Sequence, residues 1–236
     1  MFETYKETNI YYKIKGKGDR TLVFLHGWGM SHECFEYFTD YFQDFYTCIS
    51  VDFPPFGNSE EPKNPWTLDD YVVALCQILK NFKFENVSVV AHSFGGRVAI
   101  KLASCYPEKV KCLLLTGCAG MKPRRGLSYY FKVYGYKLFR FKSAGSADYK
   151  VLSPVMKKTF SYIVNTFQEK QAKQIVCPTL LIFGKKDKQT KMYMAKRLNK
   201  LIKNSKLIVF DDCSHFCFLE QKEKFLDFAI DFLKEN

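Results

Sequence analysis

The run from Val87 to Tyr106, VSVVAHSFGGRVAIKLASCY, restricts the fold of this chain more than any other stretch. β-Formers and small residues lead into Ala91-His92-Ser93-Phe94-Gly95-Gly96, and Val98, Ala99, Leu102 and Ala103 then recur at helical spacing between Arg97 and Ser104. The pattern reads as strand, tight turn, helix. A serine at such a turn is held in a strained backbone conformation with its hydroxyl at the carboxyl edge of a sheet. Its neighbours must be small because the strand and helix backbones nearly touch there. The general form is G-x-S-x-G, and Ala91 stands in for its first glycine. An ordinary tight turn has the same look, so the remainder of the chain has to decide.

That remainder alternates. Ile10 to Lys15 and Thr21 to Leu25 read as strands joined by a turn at Gly16-Lys17-Gly18-Asp19, the antiparallel edge of a sheet. Cys34 to Phe42 reads as a helix with Phe35, Phe38 and Phe42 on one face, followed by a strand at Thr47 to Val51 and a proline-glycine loop from Asp52 to Ser59. Thr67 caps a helix from Leu68 to about Phe82 with Asp69 and Asp70 in its first turn. Further strands are expected at Val110 to Thr116, Pro178 to Phe183 and Leu207 to Phe210, with helices at Thr190 to Leu201 and Glu220 to Leu233. Strands apolar on both faces that alternate with helices imply an α/β fold, a mostly parallel central sheet covered on both sides.

The alternation breaks between Met121 and Lys173. That stretch is aromatic and basic, then helical around Ser153 to Phe167. The expected organisation is therefore one core, 1–120 and 174–236, with 121–173 inserted as a small helical lid over a pocket. The insertion also carries most of the net charge of +12, with twelve Lys and Arg against Asp148 and Glu169. A solvated lysine-rich surface explains this, and anionic lipid or an acidic carrier protein are partners such a surface admits. Nucleic acid is not expected, because the basic residues follow no binding motif. No apolar run reaches the length of a signal-peptide core or a membrane span. With nine cysteines, most inside apolar runs and none in a C-x-x-C pair, a cytoplasmic protein without metal or cofactor is expected.

The polar residues that could do chemistry sit where strands end. His26-Gly27-Trp28-Gly29 follows one strand, Ser93 the next but one, Asp187 and His215 the last two. Open α/β sheets bind ligands at this edge. Serine is a poor nucleophile until an imidazole takes its proton and a carboxylate orients that imidazole. Among four histidines, His26 and His92 are tied into turns and His32 opens a surface helix, which leaves His215. Asp187 could instead cap the helix that follows it, with Asp211 and Asp212 as the next candidates for the acid.

Taken in order, H-G-W-G, D-x-P-x-x-G-x-S, H-S-x-G-G, G-x-x-D and S-H-F resemble the α/β-hydrolase fold superfamily over nearly the whole chain, and the small serine esterase branch that includes pimeloyl-carrier-protein methyl esterases in particular. The resemblance implies Ser93 as nucleophile, His215 as general base and acid, Asp187 as orienting carboxylate, and the backbone N–H groups of Trp28 and Phe94 as oxyanion hole. It implies a carboxylesterase for a small-molecule ester, with an acyl-thioesterase or carrier-protein esterase as the second reading. A ligand-binding protein on the same scaffold is the non-enzyme alternative. Two departures stand out. Ala91 replaces the first elbow glycine, and Pro55 stands where the family loop carries glycine.

Overall fold

The computed structural model describes residues 1–82, 85–124 and 152–236. Its eight strands are β1 (Phe2–Tyr5), β2 (Thr8–Lys15), β3 (Arg20–Leu25), β4 (Tyr46–Val51), β5 (Val87–His92), β6 (Val110–Thr116), β7 (Thr179–Gly184) and β8 (Ser205–Phe210). They form one sheet in the order β1-β2-β4-β3-β5-β6-β7-β8. The β1–β2 and β2–β4 pairs are antiparallel, and every other pair is parallel. The register runs level across the parallel part. Val51, Leu25, Ala91, Leu115, Leu181 and Leu207 lie side by side on consecutive strands. Loops leaving these strands therefore emerge along one edge, which is what brings distant sequence positions together.

The helices are α1 (Glu36–Phe42), α2 (Leu68–Lys80), α3 (Phe94–Cys105), α4 (Pro154–Asn165), α5 (Glu169–Gln174), α6 (Met192–Leu201), α7 (Cys217–Glu220) and α8 (Lys222–Glu235). Alternation along each strand divides the interior into two cores. Val23, Leu25, Val89, Ala91, Leu113 and Leu115 face α2, α3 and α6. Leu22, Phe24, Val90 and Leu114 face Phe38 and Phe42 of α1, Phe218 of α7, and Phe225 and Ala229 of α8. Strands buried on both faces, with side chains alternating between two helical layers, are what the uninterrupted apolar runs require.

Element boundaries differ from expectation in three instructive places. The sheet begins earlier, because Phe2–Tyr5 pairs with β2 through a two-residue turn at Lys6 and Glu7, both left-handed at φ 47° and 58°. Asn-Gly would have announced such a turn, whereas Lys-Glu carries no such signal. The first helix is preceded by a 3₁₀ turn, His32–Phe35, capped by the Ser31 hydroxyl. The last helix is broken at Gln221, where φ is −132°. At α2 the expected cap is a capping box, in which Thr67 accepts from the N–H of Asp70 and the Asp70 carboxylate accepts from the N–H of Thr67.

Of the inserted stretch, α4 and α5 lie among the described residues and the aromatic run Tyr129 to Phe141 lies outside them. Helix α4 starts at Ser153, whose hydroxyl accepts from the N–H of Met156, and Pro154 occupies its first position. It is fastened to the core by the buried Thr159 hydroxyl, which accepts from the N–H of Trp66 at 2.9 Å. Among the described residues no helix is long and apolar enough to cross a membrane.

Candidate active site

Ser93 follows β5 directly and has φ 49° and ψ −105°, a left-handed conformation that an L-residue adopts only under constraint. The constraint comes from both sides. The N–H of Ser93 donates to the carbonyl of Thr116 (3.1 Å), and its own carbonyl accepts from the N–H of Ala119 (3.1 Å). Small neighbours make the turn feasible. A Cβ on Gly95 would lie 2.2 Å from the carbonyl oxygen of Leu25, so only glycine lets α3 start this close to β3. Ala91 is buried within β5 and its methyl is accommodated there.

Asp187 and His215 arrive from the loops after β7 and β8. His215 Nε2 lies 3.0 Å from Ser93 Oγ, and His215 Nδ1 lies 2.8 Å from Asp187 Oδ2. A carboxylate can only accept, so Nδ1 carries the ring proton and the Nε2 lone pair faces the serine hydroxyl. Asp187 is further held by the N–H groups of Gln189 (2.7 Å) and Thr190 (2.9 Å) on Oδ1, and by the Thr190 hydroxyl (2.5 Å) on Oδ2. Burial pushes this carboxyl upward, but the hydrogen bonds from His215 and Thr190 outweigh it and hold it below the usual carboxylate range. The rival acids are engaged elsewhere. Asp211 pairs with Lys185 and Asp212 with Lys186, on the exposed surface.

The two turns that carry Trp28 and Phe94, whose backbone N–H groups are the expected oxyanion donors, are tied to each other by one backbone hydrogen bond. The N–H of Gly95 donates to the carbonyl of His26 (3.1 Å), joining the loop after β3 to the first turn of α3. The Trp28 and Phe94 rings meet edge to face at 5.5 Å. Among the described residues neither the Trp28 N–H nor the Phe94 N–H has a hydrogen-bond partner.

The remaining histidines have structural partners. His26 Nδ1–H donates to the carbonyl of Gly27 and Nε2 accepts from the N–H of Phe53 (2.8 Å). His92 Nδ1–H donates to the carbonyl of Thr116 (3.1 Å) and its ring packs 4.8 Å from that of His215. Burial pushes His26 down to about 4; burial together with the charge of His215 pushes His92 down to about 3. His32, expected at the start of a surface helix, is instead buried. Its backbone N–H (2.5 Å) and its ring Nδ1 (3.0 Å) both address the wholly buried Asp52 carboxylate, which also accepts from the N–H of Asn58. The D-x-P-x-x-G-x-S stretch thus gains a reason for its first residue. Asp52 folds the loop that carries Phe53 and Phe56 against the Trp28 turn.

These groups open onto a cavity of about 560 Å³ lined by Trp28, Ser93, Phe94, His215, and, from α4, Phe160, Ile163 and Val164. Two lining residues escaped the sequence reading. Thr190 fixes the acid through its hydroxyl. Arg97, one helical turn beyond Ser93, is buried beneath α4 and donates to the carbonyl of Thr166 at 2.6 Å. Its position four residues from the serine was the available signal, since i and i+4 share a helix face.

The comparisons with known proteins agree with this architecture. The curated relatives include an AB hydrolase superfamily protein of Bacillus subtilis (25% identical, covering 94% of each chain). They also include a proline iminopeptidase of Saccharolobus solfataricus (26% identical, 96% of this chain and 89% of the relative). A pimeloyl-[acyl-carrier protein] methyl ester esterase of Aliivibrio fischeri is 24% identical over 97% of this chain and 99% of its own. Among solved structures, a serine hydrolase involved in carbazole degradation superimposes with a TM-score of 0.81 at 23% identity, covering 100% of this chain and 98% of its own. At that identity the likeness is one of fold. The sequence profile of the alpha/beta hydrolase family matches residues 22–228, from the third strand of the sheet into the last helix, and the chain belongs to that family.

Proposed function

We propose that this protein is a serine hydrolase whose substrate is a carboxylic ester. The observation that carries the reading is the continuous chain Ser93 Oγ, His215 Nε2, His215 Nδ1, Asp187 Oδ2, with contacts of 3.0 and 2.8 Å. In the first half-reaction Ser93 Oγ attacks the ester carbonyl carbon as His215 Nε2 takes the hydroxyl proton. The carbonyl oxygen becomes an oxyanion, for which the N–H groups of Trp28 and Phe94 are the donors at hand. Collapse of the tetrahedral adduct expels the alkoxide, protonated by His215, and leaves an acyl-serine. Water, deprotonated by the same imidazole, then releases the acid and regenerates the serine. Asp187 stays ionised throughout, fixing the tautomer and stabilising the imidazolium, for which its low-lying carboxyl is suited. Helix α4 supports the reading as a lid, since Phe160 packs 5.2 Å from the Trp28 ring and the α4 side chains roof the cavity.

The test is hydrolysis of a p-nitrophenyl ester series, from acetate to long acyl chains, by wild type, Ser93→Ala and Asp187→Asn in parallel. Loss on the order of 10⁴ to 10⁶ in turnover is expected for Ser93→Ala and on the order of 10⁴ for Asp187→Asn. Activity that survives Ser93→Ala refutes the nucleophile. Activity that survives Asp187→Asn refutes the acid. A protein that binds ligands on this scaffold without hydrolysing them would show negligible turnover across the whole series.

A carrier-bound acyl ester is the second reading. It is favoured by a surface groove lined by Arg124, Lys196, Arg197 and Lys200, and by the relative named a pimeloyl-[acyl-carrier protein] methyl ester esterase. For a substrate docked on these cations, kcat/KM falls steeply with ionic strength, whereas for a small neutral ester it does not.

A further inference from the structure

Among the described residues Arg97 is the one Lys or Arg that lines the cavity, and no Asp or Glu does. The side chain is nine-tenths buried, 8% exposed, yet among the described residues it forms no ion pair with a carboxylate. Its only hydrogen bond there is to the carbonyl of Thr166, one acceptor for a group with five N–H donors. Its own carbonyl accepts from Gln168 Nε2 (2.8 Å), so the backbone beneath it is fixed. Desolvation accordingly lowers its pKa. Buried guanidinium groups are ordinarily matched by an anion, because removing the charge from water without a counter-charge is costly. Among the described residues none is supplied, and the group lines the space where substrate would lie.

We infer that the pocket selects substrates bearing an anionic group, a carboxylate at the far end of the acyl chain, which Arg97 engages through its planar fork while Ser93 attacks the ester at the near end. The inference rests on the serine-esterase reading above and deepens it to dicarboxylic acid monoesters. Arg97 acts here in binding and takes no part in proton transfer. Arginine and carboxylate geometries match in a bidentate pair, which lysine cannot reproduce. Because α3 fixes Arg97 one turn from Ser93, one length of spacer between the two carbonyl carbons should be preferred.

The experiment separates binding from turnover. Monomethyl adipate, with one carboxylate, and the neutral dimethyl adipate are titrated calorimetrically into Ser93→Ala protein, which needs no catalysis. The same pair is then titrated into the Ser93→Ala, Arg97→Gln double variant. We expect the monoester to bind the first protein at least about tenfold more tightly and the preference to vanish in the second. Arg97→Gln removes one charge from a protein of net charge +12, so attraction of anions by the whole molecule is nearly unchanged. Equal or weaker binding of the monoester, or a preference that persists without Arg97, overturns the inference. Should the glutamine variant fail to fold, the parental comparison with the succinate-to-suberate monoesters decides alone, since a flat or absent preference overturns the proposal.

Kinetics on wild type supply the second readout. A purely structural Arg97, serving only to hold α4 through Thr166, would lower kcat on both esters equally when replaced by lysine. If Arg97 binds the carboxylate, the same replacement raises KM for the monoester by a much larger factor than for the diester. If binding shows the preference while no ester is hydrolysed, the anion site stands and the esterase reading falls. If neutral esters are hydrolysed through Ser93 without any benefit from the carboxylate, the reverse holds.

Discussion

Ser93 occupies φ 49°, ψ −105° with a Cβ in place, a conformation whose strain is typically about 1–3 kcal/mol. Two backbone hydrogen bonds, to Thr116 and from Ala119, keep it there. Glycine would adopt the same angles without the Cβ conflict. Ser93→Gly should therefore be more stable than wild type by about 1 kcal/mol while inactive, whereas Ser93→Ala retains the strain and gains nothing. Urea unfolding of the three proteins measures this directly. Indistinguishable midpoints for Ser93→Gly and Ser93→Ala would mean that the turn stores no such energy. The contrast explains why this serine could be singled out in the sequence, since only a demanding turn requires so many small neighbours. Arg97 was opaque for the opposite reason. A charged residue in the first turn of a helix looks solvated until one knows that α4 lies over it.

At the scale of elements, closeness rather than conformation makes Gly95 indispensable. A methyl at Gly95 would meet the carbonyls of Leu25 (2.2 Å) and His26 (2.8 Å), which are backbone atoms and cannot rotate away. Gly29, in contrast, has a left-handed φ of 81° but open space around it. Gly95→Ala should cost about 3 kcal/mol, the upper end for overpacking, and displace the serine turn so that activity is lost. Gly29→Ala should cost only about 1 kcal/mol, from its backbone conformation. Chemical unfolding and ester turnover on both variants check the pair, and equal costs would contradict the argument. Elements of this kind were legible because apolar runs and caps are local. The β1–β2 hairpin was not, since Lys6 and Glu7 take left-handed angles without glycine or asparagine to mark them. The burial of His32 was equally hidden, because its partner Asp52 lies twenty residues away and becomes a partner only once β4 lies beside β3.

For the molecule as a whole, the sheet edge that gathers the site also buries two neutral imidazoles, and this sets how stability depends on pH. His26 and His92 are both fully buried, with their pKa values depressed from the ordinary 6.5 to about 4 and about 3. Above pH 6.5 each is neutral whether the chain is folded or not, and the fold keeps its full stability with respect to them. Below it the unfolded chain binds a proton that the folded one refuses, until the pH reaches the folded values. Stability is therefore lost as pH falls from about 6.5 towards 4, at up to about 1.4 kcal/mol per pH unit for each histidine. The depressed Asp187 carboxyl acts in the same direction, but only at still lower pH. Unfolding free energies measured in urea at pH 7, 6 and 5 should decline with a slope near two protons. Replacing His92 by asparagine, which can still donate to the Thr116 carbonyl, should reduce that slope by about one proton. A slope unchanged by this substitution would place the acid sensitivity outside the pair. The result would matter for the proposed function as well, because the His92 ring packs 4.8 Å from that of His215 and a charge placed there would oppose an imidazolium at His215.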